Sequence, residues 1–94
     1  MLMAIDNTQG DYYSLFGQAF YQRWRFNPKS EEFMLEAIKN IDIAIEKKNI
    51  NIDYLALAYM TKSDICLKKN DLSRASENIK KALQVKRLSP ITDR

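Results

Sequence analysis

The sequence predicts an all-α fold, two antiparallel helical hairpins stacked on each other, and three observations predict it. Only two Gly and two Pro occur among 94 residues, too few for the many tight turns of a sheet protein. Four stretches carry apolar residues at the three-and-four spacing of an amphipathic helix. Residues 37–50, AIKNIDIAIEKKNI, read again at residues 75–88, ASENIKKALQVKRL, an offset of 38.

Residues 1–10 form a polar lead-in ending on Asp6-Asn7-Thr8-Gln9-Gly10. The apolar start, Met1-Leu2-Met3-Ala4-Ile5, lacks a basic flank and breaks at Asp6, so no secretory leader is expected. The first helix spans about Asp11 to Arg25, with Tyr13, Phe16, Gly17, Phe20 and Trp24 in one stripe. Asp11 suits the positive end of the helix dipole. Pro28 ends the helix, because it cannot donate to the ladder and holds Asn27 out of helical angles.

The second helix spans about Ser30 to Lys48, with Ser30 as N-cap and Glu31 and Glu32 in its first turn. Phe33, Met34, Ala37, Ile38, Ile41, Ala44 and Ile45 make a wide apolar face. Lys47-Lys48-Asn49 closes it, with Asn49 suited to a left-handed cap. The third helix spans about Asp53 to Lys69. It is apolar on two sides, through Leu55, Ala58, Tyr59, Ile65 and Cys66 on one and Leu57, Met60 and Leu67 on the other, so it sits between neighbours. Asn70 is suited to the left-handed angle after it. The fourth spans about Asp71 to Arg87, with Leu72, Ala75, Ile79, Ala82 and Leu83 as its stripe and Ser89-Pro90 as its stop. Residues 91–94 are expected to fray.

Composition narrows function by exclusion. There is no His, which removes His bases, His-paired nucleophiles and His metal ligands. The single Cys66 removes an internal disulfide and a Cys cluster, and suits a reducing cytoplasm. No apolar run approaches the ~20 residues that span a bilayer, so no membrane insertion is expected. Neither a phosphate-binding Gly loop nor a ligand set for a metal or cofactor is present, so no enzyme chemistry and no cofactor are expected. Residues 1–47 carry five basic and seven acidic groups, and residues 48–94 ten and five, so the second half is the basic one.

Within the repeat, Ala37, Asn40, Ile41, Ala44 and Lys48 match Ala75, Asn78, Ile79, Ala82 and Lys86. The identities fall on the apolar stripe of both helices, where small Ala lets a neighbour approach. On these residues the chain resembles the tetratricopeptide repeat family of helix–turn–helix units. The better match is residues 56–89, through Tyr59, Ser63, Cys66, Asn70, Leu72, Ala75, Ile79 and Ala82. The first unit is similar but stretched: Gly17 to Ala37 spans 20 residues where Ser63 to Ala75 spans 12. The eight extra residues lie around Trp24–Ser30 and lengthen the helix, the loop, or both. Lys62 stands where the family prefers a large aliphatic residue and Arg87 where it prefers Pro.

The resemblance implies a right-handed array over residues 11–90 whose inner surface is lined by the first helix of each unit. Carried over by position, the partner-binding groove is Ser14, Gln18 and Tyr21 with Leu57, Met60, Asp64, Leu67 and Lys68. It would take a peptide segment or helix of a partner protein; the alternative is that Leu57, Met60 and Leu67 only pack on the first unit or a second copy. Met60 and Asp64 do not supply the family's clamp for a terminal carboxylate. Arg23, Trp24, Arg25 and Phe26 form a second candidate, a basic aromatic hot spot, against a plain capping of the core by Trp24 and Phe26. The expected function is protein–protein interaction, as an adaptor or chaperone-like subunit. Self-association as a symmetric dimer is expected too, since Leu57, Met60, Leu67, Val85 and Leu88 exceed what two hairpins bury and no polar helix follows the last repeat; the alternative is that the stretched loop at Trp24–Ser30 folds back and covers this patch within one chain. The alternative is a small basic regulator that binds nucleic acid through its C-terminal half, although the bases there are interrupted by Glu77 and Asp64, the pattern of a solvated face.

Overall fold

A computed structural model describes residues 9–47 and 49–87; the expected lead-in up to Thr8, Leu88, the stop at Ser89-Pro90 and the frayed end lie outside them. The described chain is all-α. Four helices run Gly10–Phe26 (α1), Glu31–Glu46 (α2), Ile52–Lys68 (α3) and Leu72–Arg87 (α4). They pack as two hairpins, α1 with α2 and α3 with α4, and α3 lies against both α1 and α2. Among the described residues α4 touches α3 alone.

Helix ends follow local chemistry. Asn51 caps α3, its side chain accepting from Asp53 N–H at 2.8 Å. Asn70 takes the expected left-handed angle, φ 63, and Asp71 N–H reaches back to Cys66 carbonyl at 2.8 Å. Asp71 then accepts from Arg74 N–H at 3.2 Å, which starts α4. Ser30 holds the N-cap position of α2 without a side-chain hydrogen bond. Two expectations fail at the other ends. α2 stops at Glu46, with Lys47 extended, rather than running to Lys48 and a left-handed Asn49. Gly10 is no part of a loose lead-in: it is buried in α1, and its N–H donates to Asn49 carbonyl at 2.7 Å. That contact lies just past Lys47, where the chain has left helical geometry. Asp11 seals it by accepting from Asn51 N–H at 2.7 Å. A Cβ on Gly10 would meet Ile50 Cβ at 2.8 Å, so the clip needs glycine.

The core gathers Tyr21, Trp24, Met34, Ala37, Ile41, Ala44, Ala58 and Ile65. Small residues set the closest approaches. A Cβ on Gly17 would lie 3.2 Å from Ala37 carbonyl, and Ser63 Oγ donates to Ala75 carbonyl at 2.9 Å. These are matched positions of the repeat, which locates the extra residues. Counted from the close approach towards the loop, α1 runs nine residues to Phe26 and α3 five to Lys68. On the return, α2 enters six residues before Ala37 and α4 three before Ala75. The stretch therefore lengthens both helices of the first hairpin and adds one residue to the loop.

Candidate partner-binding surface

The expected groove residues divide into those that join α1 to α3 and those left on the surface. Ser14, Gln18 and Tyr21 recur along the side of α1 that meets α3, and each bonds across it. Ser14, fully buried, donates from Oγ to Tyr54 carbonyl at 2.8 Å. Gln18 Oε1 accepts from Thr61 Oγ1 at 2.6 Å. Tyr21 is buried, and its hydroxyl donates to Asp64 Oδ2 at 3.4 Å. Burial raises the pKa of that hydroxyl, and the negative charge of Asp64 raises it further. A polar seam thus fixes the two inner helices side by side, and two of the three α1 residues are withdrawn from the surface.

The α3 residues keep more of their exposure. Leu57 is half-buried, whereas Met60, Asp64, Leu67 and Lys68 are exposed. At the C-terminal ends of α1 and α3 the surface opens into two cavities. One, of about 270 Å³, is lined by Tyr21, Arg25, Asp64, Leu67 and Lys68. The other, of about 280 Å³, is lined by Trp24, Arg25, Pro28 and Lys68. Arg25 and Lys68 line both, so the two cavities share a wall that carries two cations, and together they form the candidate depression.

The basic aromatic cluster is dispersed by the helix. Trp24 is buried in the core, as a capping residue would be. Phe26 does not share that role: it is 88% exposed at the tip of α1. Arg23 lies over the Phe33 ring at 5.9 Å, and Arg25 over the Tyr21 ring at 5.9 Å. Only Trp24 and Arg25 border the depression, and Pro28, read from the sequence as a helix stop, joins them there.

Elsewhere, α2 and α4 are separated by a cavity of about 290 Å³ walled by Ile38, Ile65 and Cys66, with the Lys62–Asp42 ion pair at 2.6 Å. Lys62, where the resemblance implies a large aliphatic residue, therefore ties α3 to α2. Burial raises the Cys66 thiol pKa, with Asp71 adding to the effect. Among the described residues no group of three or more Cys, Asp or Glu is placed to hold a metal ion, and no helix is long and apolar enough to cross a membrane. No protein-family model, no curated protein and no solved structure matches the chain.

Proposed function

We propose that the chain is a protein–protein interaction module of the tetratricopeptide type, an adaptor or chaperone-like subunit that takes a peptide segment or helix of a partner on its α1–α3 face. The depression shared by Arg25 and Lys68 carries this reading. It combines an aromatic wall at Trp24 and Tyr21, an apolar edge at Leu67, and two cations beside the Asp64 carboxylate, none of which forms an ion pair among the described residues. Met60, exposed further along α3, extends the surface with an adaptable contact. The polar seam joins α1 to α3 beside the depression, and helices fixed together before binding lower its ordering cost. A cytoplasmic setting fits the lone buried thiol.

Selection from a displayed peptide library tests this. Enriched peptides bind the wild type and lose at least tenfold in affinity to Lys68→Glu or Leu67→Glu. Peptides that ignore both substitutions overturn the site.

One observation favours the nucleic-acid reading instead: α4 carries Arg74, Lys80, Lys81, Lys86 and Arg87 against Glu77 alone. Two of these bases are engaged within the chain, Arg74 beside Asp71 and Lys81 over the Tyr59 ring. Oligonucleotide binding that falls steeply with salt would establish it; no binding at low salt would end it.

A further inference from the structure

Among the described residues the repeat leaves one stripe covered in the first hairpin and open in the second. On α2 the stripe is Met34, Ile38, Ile41 and Ile45; at the offset of 38 it becomes Leu72, Ser76, Ile79 and Leu83 on α4, apolar but for Ser76. Met34 is 3% exposed and Leu72 66%; Ile41 is 0% exposed and Ile79 44%. The difference lies in what stacks on each. α3 covers the α2 stripe, burying Ala58 and Ile65 in the same cluster as Met34 and Ile41, with Lys62 bonded to Asp42. Among the described residues nothing covers the stripe of α4.

The helix chemistry that would cover it is present at the other end of the molecule. Gly17 and Ser63 are matched close-approach residues, 46 positions apart. At that offset the α3 residues Ala58, Lys62 and Ile65 correspond to Tyr12, Phe16 and Ala19 on α1. Phe16 and Ala19 are exposed, on the side of α1 turned away from α3, and with Phe20 and Arg23 they line a hollow of about 200 Å³. One end of the stack thus presents a ridge of Leu72, Ile79 and Leu83, and the other a hollow of aromatic side chains.

Charge gives the pairing a direction. α2 carries Glu31, Glu32, Glu36, Asp42 and Glu46 against Lys39, five minus one, a net of −4. α4 carries five bases against Glu77, a net of +4. Two α4 faces brought together, as in a symmetric dimer, would repel. α1 carries Asp11 against Arg23 and Arg25, a net of +1, so the two helices of the first hairpin sum to −3, and the α4 end of one copy attracts the α1–α2 end of another.

We infer that the open α4 stripe docks a second copy of this chain, head to tail, with α1 of the incoming copy taking the place that α3 takes on α2. The contact repeats the internal stacking and is heterologous, so it propagates into a ring or a filament instead of closing as a symmetric dimer.

Two variants test it. Phe16→Glu blocks the head and Leu83→Lys the tail; both side chains are exposed, each change adds charge of the sign its own end already carries, and circular dichroism checks that both variants fold. Sedimentation equilibrium of the wild type is expected to give a mass above 11.0 kDa that falls on dilution. Each variant alone is expected to stay at 11.0 kDa, and an equimolar mixture to reach twice that mass and no more, since one free head meets one free tail. A wild type constant at 11.0 kDa would overturn the proposal, leaving another protein or the chain's own ends as the cover. So would a Phe16→Glu variant that dimerises alone, the mark of a tail-to-tail contact, or a mixture that stays monomeric.

Discussion

Gly17 and Ile41 meet so closely that a Cβ on Gly17 would stand 2.5 Å from Ile41 Cγ1. The obstructing atom lies near the branch of a fully buried side chain, so it has little room to yield. Gly17→Ala gains about 1 kcal/mol in helix propensity and pays for it with overpacking of about 1–3 kcal/mol. The expected outcome is a net loss seen as a lower Tm. Combined with Ile41→Ala the two changes should be less than additive, because the second removes the obstruction of the first.

In the second hairpin the equivalent close approach depends on Ala75 and Ala82, both buried against α3. Ala82→Leu is expected to cost about 1–3 kcal/mol. The neighbouring Leu83 is exposed, so Leu83→Ala should stay within about 0.5 kcal/mol. Thermal unfolding of the pair, at a concentration where the chain is monomeric, checks which face of α4 is inside.

The Lys62–Asp42 pair is short, 2.6 Å, yet its side chains keep 31% and 45% of their exposure. Solvent screening limits such a pair to about 0–1 kcal/mol. Lys62→Met is therefore expected to change stability by less than about 1 kcal/mol, and the difference from wild type should shrink further as salt is raised.

Burial holds the Cys66 thiol above its usual pKa. Less thiolate is then present at any neutral or mildly alkaline pH, and alkylation of the folded chain is expected to run slower than that of the urea-unfolded chain. Tyr21 is shifted in the same direction. A raised folded pKa favours the protonated form, so this stability is present below the unfolded values, about 8.5 for Cys and 10 for Tyr, and is lost as pH rises through the folded ones. The urea midpoint should fall on the alkaline side of about pH 9, and Tyr21→Phe should remove part of that fall.

The helices were legible because their stripes are periodic and their ends are marked by Pro28, Asn70 and Asp71. The repeat was legible through Ala37/Ala75 and Ile41/Ile79, and it identified which positions approach closely. It did not say which would be covered, because Ile41 and Ile79 are identical residues whose burial depends on what stacks above them. The clip from Gly10 to Asn49 left no trace in the pattern, since it joins backbone groups far apart in sequence. Ser14, Gln18 and Tyr21 read as an open groove because the family resemblance puts the first helix of each unit on the inner surface. They meet Tyr54, Thr61 and Asp64 at separations of 40 and 43 residues, a pairing that no single helix period reveals. Pro28 and Phe26 illustrate the limit at loop ends, where a side chain's direction is set by the turn rather than by spacing.

Among the described residues α4 leans on α3 alone, which gives the protein a graded architecture. Local opening proceeds from the segment with the fewest buried neighbours, so α4 is the first cooperative unit to detach, while α1, α2 and α3 remain joined by the polar seam and the shared core. Amide exchange should accordingly be fastest in α4 and slowest around Ile41 and Ala58. Anything that seats on α4 stabilises the attached form by mass action. The end of the molecule is then a latch whose closing is coupled to occupancy, and detachment of α4 would expose Ala56, Ser63 and Ala75 to proteases only while that seat is empty.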